Sequence, residues 1–248
     1  MTFTIGYPIY NKAHMLDEII EGLSKNIKIP VDYIFIFDGC TDNSEDIFDK
    51  ISSKLNGKIH TENLFQLKTN NLLMKQFQTD FLIIFQDDMV LTDNNFIENI
   101  IKIIDKYNGS LGIIGCRDGF EKNYSEMVSS KFSGSTFPGC RTIESGEFVE
   151  KSMINIGPIV LSKKLIEKIG YFDEIYGIGA YEETEYALKC KYIHNLTNIV
   201  LGTDLIHSKF EHKLKEHKNH TSKKLLFDQY PINGPIFNSR WSEYAGNL

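Results

Sequence analysis

The chain has 248 residues, of which 42% are hydrophobic, 24% charged and 12% aromatic; this composition is globular and excludes a disordered, collagen-like or coiled-coil chain. Lysine and arginine number 27 against 33 acidic residues, a formal net charge of −6, which argues against nucleic acid as the partner because a phosphate backbone calls for a basic footprint. The four cysteines (Cys40, Cys116, Cys140 and Cys190) form no C-x-x-C pair, so the expectation is free thiols in a reducing compartment and not a zinc ribbon or a thioredoxin-like motif.

In chain order, Phe3–Tyr7 is a strand-length apolar run closed by Pro8. The next segment, 13–26, places Met15, Leu16, Ile19, Ile20 and Leu23 at helical spacing. Tyr33–Phe37 is continuously apolar, as in a strand covered on both faces. A second helical pattern opens at Asn43-Ser44-Glu45, with Ile47, Phe48, Ile51 and Leu55 on one face. A third helix is expected around Asn71–Gln78, followed by the buried strand Phe81–Phe85. Asp93-Asn94-Asn95 reads as the cap of a helix reaching Tyr107, and Leu111–Cys116 as a further strand.

The second half is less regular. Arg117–Gly146 reads as one long functional loop, and Met153–Leu161 as a strand interrupted at Gly157-Pro158. Short helices are expected over Lys163–Ile169 and Glu182–Tyr192, with a Gly- and Tyr-rich loop between them and a strand over Asn198–Leu201. From His207 onward the chain is basic and ends loosely. No secretory leader and no apolar run near the ~18 residues of a membrane span is apparent, so the expectation is a cytoplasmic protein without a transmembrane segment.

Strands alternating with helices predict an α/β fold: an open, doubly wound, mostly parallel sheet with helices on both faces. In such sheets ligands sit beyond the carboxyl ends of the strands. There the sequence places Pro8-Ile9-Tyr10-Asn11, Asp38 and Gln86-Asp87-Asp88. Adjacent carboxylates at a strand tip suit a hard divalent ion, Mg²⁺ or Mn²⁺, which also takes substrate phosphates; the alternative is a solvated pair or a cap for the helix at Asn94. Side-chain alternation along an extended chain favours Asp88 as the direct ligand. Asp38 suits a base N–H or a ribose hydroxyl, or else caps a turn. Glu182, Glu183 and Glu185 open a helix, where acidic residues also complement the helix dipole. Lys68 suits a donor phosphate or an exposed helix face. Trp241 and Tyr244 suit an acceptor platform or the docking of the tail.

These segments together resemble family 2 glycosyltransferases. TIGYPIYNKAHMLDEIIEGL is similar to that family's opening, FDGCTDNS to its Asp-Asp-Gly-Ser-Thr-Asp-x-Ser segment, and NLFQLKTNNLL to the stretch before the metal motif. FQDDMVL is similar to the Asp-x-Asp metal motif, and GYFDEIYGIGAYEETEYALK to the segment ending in the Glu-Asp acceptor motif. The departures are Phe37 at the first Asp of the nucleotide segment, Gln86 and Met89 flanking the metal pair, and Glu182-Glu183 for Glu-Asp.

The resemblance implies a GT-A fold, with a catalytic domain over 1–205 (donor half about 1–115, acceptor half 116–205) and a tail over 206–248 packed on it. It implies inverting transfer from a nucleotide-sugar, UDP favoured, to a saccharide, glycan or glycosylated carrier. Pro8, Tyr10, Asn11, Asp38, Lys68 and Asp87 would line the donor site, and Asp88 and Asp87 would hold Mn²⁺ or Mg²⁺ with His207 completing the shell. Glu183 would be the base, with Glu182 beside it. Peripheral membrane contact through the Lys-rich segment is compatible with this. The competing readings are a GT-A-like nucleotide binder without turnover and a Mg²⁺-binding receiver-type domain.

Overall fold

The computed structural model describes residues 1–248 except 53, 54, 56, 123–125, 132–138, 156, 207–220, 247 and 248, and only the backbone of 221–227. The strands are β1 (Phe3–Ile9), β2 (Asp32–Asp38), β3 (Lys58–Thr61), β4 (Phe81–Ile84), β5 (Val90–Leu91), β6 (Leu111–Gly115), β7 (Asp118–Phe120), β8 (Val128–Ser130), β9 (Arg141–Ile143), β10 (Phe148–Glu150), β11 (Met153–Ile154), β12 (Ile159–Ser162), β13 (Thr197–Leu201) and β14 (Leu205–Ile206). The helices are α1 (Leu16–Asn26), α2 (Ser44–Ile51), α3 (Phe65–Gln76), α4 (Phe96–Tyr107), α5 (Lys163–Ile169), α6 (Glu182–Leu188) and α7 (Thr221–Ala245).

Eight strands form the central sheet in the order β10-β13-β6-β12-β4-β1-β2-β3. From β4 to β3 the pairing is parallel, whereas β12 runs antiparallel to both β4 and β6. A smaller sheet, β11-β7-β8-β9, and the pair β14-β5 complete the strands. Two apolar layers cover the large sheet. One packs α1, α2 and α4 against Phe3, Ile5, Tyr7, Phe35 and Phe37. The other packs α3, α5, α6 and α7 against Ile36, Leu82, Ile84 and Val200. In the first layer the Tyr7 ring stacks between Phe85 (4.8 Å), the residue after β4, and Phe35 of β2 (5.6 Å), tying three neighbouring chain segments into one aromatic row.

Several local expectations are corrected. β1 runs through Pro8 to Ile9, because β4 pairs only with Phe3–Gly6 and so makes no demand on the nitrogen that proline lacks. The third helix begins at Phe65, well before Asn71. The strand β3 carries too little apolar character to stand out. Arg117–Gly146 is not one long loop: it carries β7, β8 and β9. Gly157-Pro158 does not interrupt one strand but separates β11 and β12, which belong to different sheets. After Leu188 the α6 spiral widens into a π turn over Lys189–Ile193. The end of the chain is not loose: α7 is helical to Ala245 despite Pro231 and Pro235.

Candidate active site

Asp87 and Asp88 lie in a turn closed by the Met89 amide donating to the Gln86 carbonyl at 3.3 Å. They are therefore not neighbours on an extended chain, and the alternation used to choose between them does not apply. The side chain of Met89 is fully buried and its carbonyl accepts from the Tyr7 hydroxyl at 3.2 Å. Met89 thus anchors the turn in the core and leaves the two carboxylates at its tip.

The turn after β1 wraps Asp87. The Tyr10 amide donates to Asp87 Oδ2 at 3.3 Å and Lys12 Nζ lies 3.5 Å from Oδ1. Burial pushes the Asp87 carboxyl up to about 6, Lys12 opposes that, and the charge of Asp88 adds to it. Asn11, at φ 52°, faces the other way: its Oδ1 accepts from the amides of Thr41 (2.7 Å) and Asp42 (3.2 Å). Asp42 in turn accepts from the Ala13 amide at 3.1 Å and from the amide and hydroxyl of Ser44, which starts α2. A continuous ridge of polar groups therefore runs over the tips of β4, β1 and β2.

Asp38 ends β2 and is 4% exposed. Its Oδ1 accepts from the Leu64 amide (2.5 Å) and the Thr61 hydroxyl (2.8 Å), and its Oδ2 from the Phe65 amide (2.8 Å). A carboxylate offers about four acceptor positions, so one direction is left for a ligand. The main work of Asp38 is to start α3, whose own sequence provides no capping side chain. Gly39, at φ 66°, is required beside it, because a Cβ there would sit 2.7 Å from the Asn63 amide nitrogen.

Helix α3 links this ridge to the acidic helix. The Gln66 side-chain amide donates to Glu183 Oε1 at 3.4 Å, and the Leu67 amide reaches the Ile178 carbonyl at 3.4 Å. Asn71 exchanges bonds with the backbone of Phe172 at 2.9 and 3.0 Å. Glu182 and Glu183 are 1% and 6% exposed, so they are not solvated groups complementing a helix end. Burial pushes Glu183 up to about 7, against the pull of its own amide and of Gln66. Glu182 is raised well above the ordinary carboxylate range by burial and by the charge of Glu183, against a weaker pull from its own amide and from the backbone of Ala180. Glu185 is different: it is bound by Lys189 (2.7 Å), Arg240 (3.1 Å) and the Tyr176 hydroxyl, which makes it part of the packing between α6 and α7.

The turn entering α6 is backbone-strained. Ala180 and Tyr181 hold φ 80° and 77°, a conformation that costs roughly 1–3 kcal/mol for each side-chain-bearing residue.

Lys68 is exposed on α3. Trp241 is buried in the layer beneath α7, with Tyr244 5.9 Å from it. His207 lies outside the described residues; it follows Ile206, which pairs with Val90, two residues beyond Asp88. Lys12 and Gln66 were not singled out in the sequence. Lys12 had a signal, a cation in the turn after β1; Gln66 had none, because its bond is made across the fold.

The donor set fits a hard divalent cation: two adjacent carboxylates at a turn tip, one held above its usual range, a state that a bound cation relieves. Among the described residues no group of three His, Cys, Asp or Glu side chains converges. Mg²⁺-type ions need only one or two carboxylates when substrate phosphates supply the rest.

Residues 4–170 match the Glycosyl transferase family 2 profile. The chain belongs to this family. Among solved structures it is similar to GalNAc-T7 with UDP, GalNAc and Mn²⁺ (TM-score 0.62, 11% identity, covering 84% of this chain and 44% of that one). It is also similar to S. aureus TarS 1-349 (0.61, 18%, 87% and 63%). A third is the mannosyltransferase PcManGT from Pyrobaculum calidifontis in complex with GDP-Man and Mn²⁺ (0.59, 12%, 81% and 54%). The fold is GT-A, and the chain spans less than two thirds of each of these proteins. No curated protein sequence matches it. Membership in this family leaves the receiver-type reading without support. Among the described residues no helix is long and apolar enough to cross a membrane.

Proposed function

We propose that this family 2 domain transfers a sugar from a nucleoside-diphosphate sugar to a hydroxyl of a saccharide, glycan or glycosylated carrier, with inversion. The observation that carries the reading is the Asp87–Asp88 turn held against the turn at 10–12, on the same sheet edge as Asp38. UDP is the favoured nucleotide: TarS 1-349 has been crystallised with UDP-GlcNAc and GalNAc-T7 with UDP. The GDP-Man complex keeps guanosine in the test panel.

Tyr10, Asn11 and the remaining acceptor direction of Asp38 line the nucleotide, with Pro8 shaping the turn and Lys68 reaching a phosphate. Asp87 and Asp88 would hold Mn²⁺ or Mg²⁺, with His207, which lies outside the described residues, as the candidate third ligand. Bound there, the cation supplies charge stabilisation to the diphosphate leaving group. Lys12 keeps Asp87 ionised despite burial, so that it is ready to hold the cation at neutral pH. Glu183 takes the proton of the acceptor hydroxyl as its oxygen bonds to the anomeric carbon and the bond to the diphosphate breaks. A base poised near 7 is matched to neutral operation, and such bases contribute typically ~10²–10⁴-fold. Burial and the charge of Glu183 favour the protonated form of Glu182, and in that form it donates a hydrogen bond to the acceptor beside that base.

The test is the release of UDP or GDP from a panel of UDP- and GDP-sugars with and without EDTA. Turnover that needs a divalent ion and is lost in Glu183→Gln supports the proposal; metal-independent turnover, or full activity of that variant, overturns it. Gln86 stands where a further carboxylate would complete the metal motif, and this keeps the binder without turnover as a second reading. Tight UDP binding with neither transfer nor donor hydrolysis would select it.

A further inference from the structure

Helix α7 lies downstream of the residues that match the family. From it Asn233, 1% exposed, sends its side-chain amide into the turn that precedes α6. Nδ2 donates to the carbonyls of Tyr176 (2.9 Å) and Gly179 (2.8 Å) and lies 3.4 Å from that of Ala180. Gly177, Gly179, Ala180 and Tyr181 in this turn hold φ values of 65°, 139°, 80° and 77°. Two of the four are not glycine, so local sequence preference does not explain the path. Tyr181 contributes no side-chain cap to α6, and its ring stacks on Phe237 of α7 at 5.0 Å. The next residues are Glu182 and Glu183.

We propose that Asn233 is a positioning residue for the acceptor-side carboxylates: its amide locks the turn at 176–181 into the left-handed path that sets where α6 begins and where Glu182 and Glu183 point. The inference rests on the proposed role of Glu183 as base. Only an amide serves here. One nitrogen with two N–H groups satisfies two carbonyls, whereas an aspartate of the same shape sets a carboxylate against three carbonyl oxygens.

The alternative is that Asn233 only anchors α7, which Phe237, Trp241 and Arg240 also hold to the body. The full chain is compared as wild type, Asn233→Asp, Asn233→Gln and Glu183→Gln, by amide hydrogen exchange and by UDP release from UDP-GlcNAc and the rest of the sugar panel, with Mn²⁺. The expected result for Asn233→Asp is faster exchange over 176–185 with 237–245 still protected. Its kcat falls roughly 10–100-fold, the loss typical of a catalytic group misplaced by about 1 Å, while KM for the donor stays within about two-fold. Asn233→Gln, which keeps the amide, recovers part of kcat. Unchanged exchange over 176–185, exchange rising equally along 228–245, or an unaltered kcat overturns the proposal. Full activity of Glu183→Gln overturns the base assignment instead. If the wild type releases no nucleotide, the exchange pattern alone decides.

Discussion

Glu183→Gln should make the protein more stable while removing transfer, and the gain should depend on pH. An ordinary glutamate loses its proton near 4.5 and Glu183 near 7. Between these values the folded chain keeps a proton that the unfolded chain has released, so stability falls as pH rises through this window. Above pH 7 the full penalty of burying the charge is present, about 3 kcal/mol at 1.36 kcal/mol for each pH unit. Glutamine mimics the protonated acid, and its carbonyl still accepts from Gln66. It also removes the charge that raises Glu182, which relieves that residue too, so the gain read is at least the ~3 kcal/mol of Glu183 itself. In a domain of this size that corresponds to a Tm increase of roughly 5–10 °C at pH 8, shrinking to nothing below pH 4. Denaturant or thermal melts of both proteins from pH 4 to 8 measure it. No stabilisation at pH 8, or an equal gain at pH 4, would refute the picture of a buried carboxyl that holds its proton.

Asp38→Ala should destabilise the fold by about 2–4 kcal/mol in denaturant melts, because the Leu64 and Phe65 amides lose their acceptor; a change under about 1 kcal/mol would mean that α3 starts without it. Lys12→Met removes the cation that opposes the raised Asp87. Mn²⁺ binding in the presence of UDP, titrated against pH, should fade below about 6 in the wild type and at a higher pH in the variant; coincident curves would place Lys12 outside the site. Arg240→Met should cost about 2–3 kcal/mol in the same melts, since Glu185 and Asp173 both lose the guanidinium that pairs with them; no change would show that Arg240 is idle in docking α7.

The architecture was legible where local and global signals agree. The continuous apolar runs of β2 and β4, and the wide apolar stripe of α4, announce elements whose faces are buried as their periods require. The acidic pair was legible because it directly follows a buried strand. What was not legible depends on distant partners. The start of α3 is set by a carboxylate at the end of another strand, so the helix is invisible in its own sequence before Asn71. β7, β8 and β9 are three residues each, too short for a period to show. The turn at Gln86–Met89 depends on Met89 sinking into the core, and α7 is held by packing and ion pairs that outweigh two prolines. The entry to α6 is fixed from α7, which no motif within 170–190 reveals.

The role proposed for Asp87 and Asp88 is to grip a divalent ion together at the donor diphosphate. Titration of Mn²⁺ followed by electron paramagnetic resonance, with UDP present, tests it directly. One bound Mn²⁺ per chain is expected in the wild type, and its loss in the Asp87→Asn, Asp88→Asn double variant. Mn²⁺ bound equally by both proteins, or by neither while UDP still binds in EDTA, would contradict it.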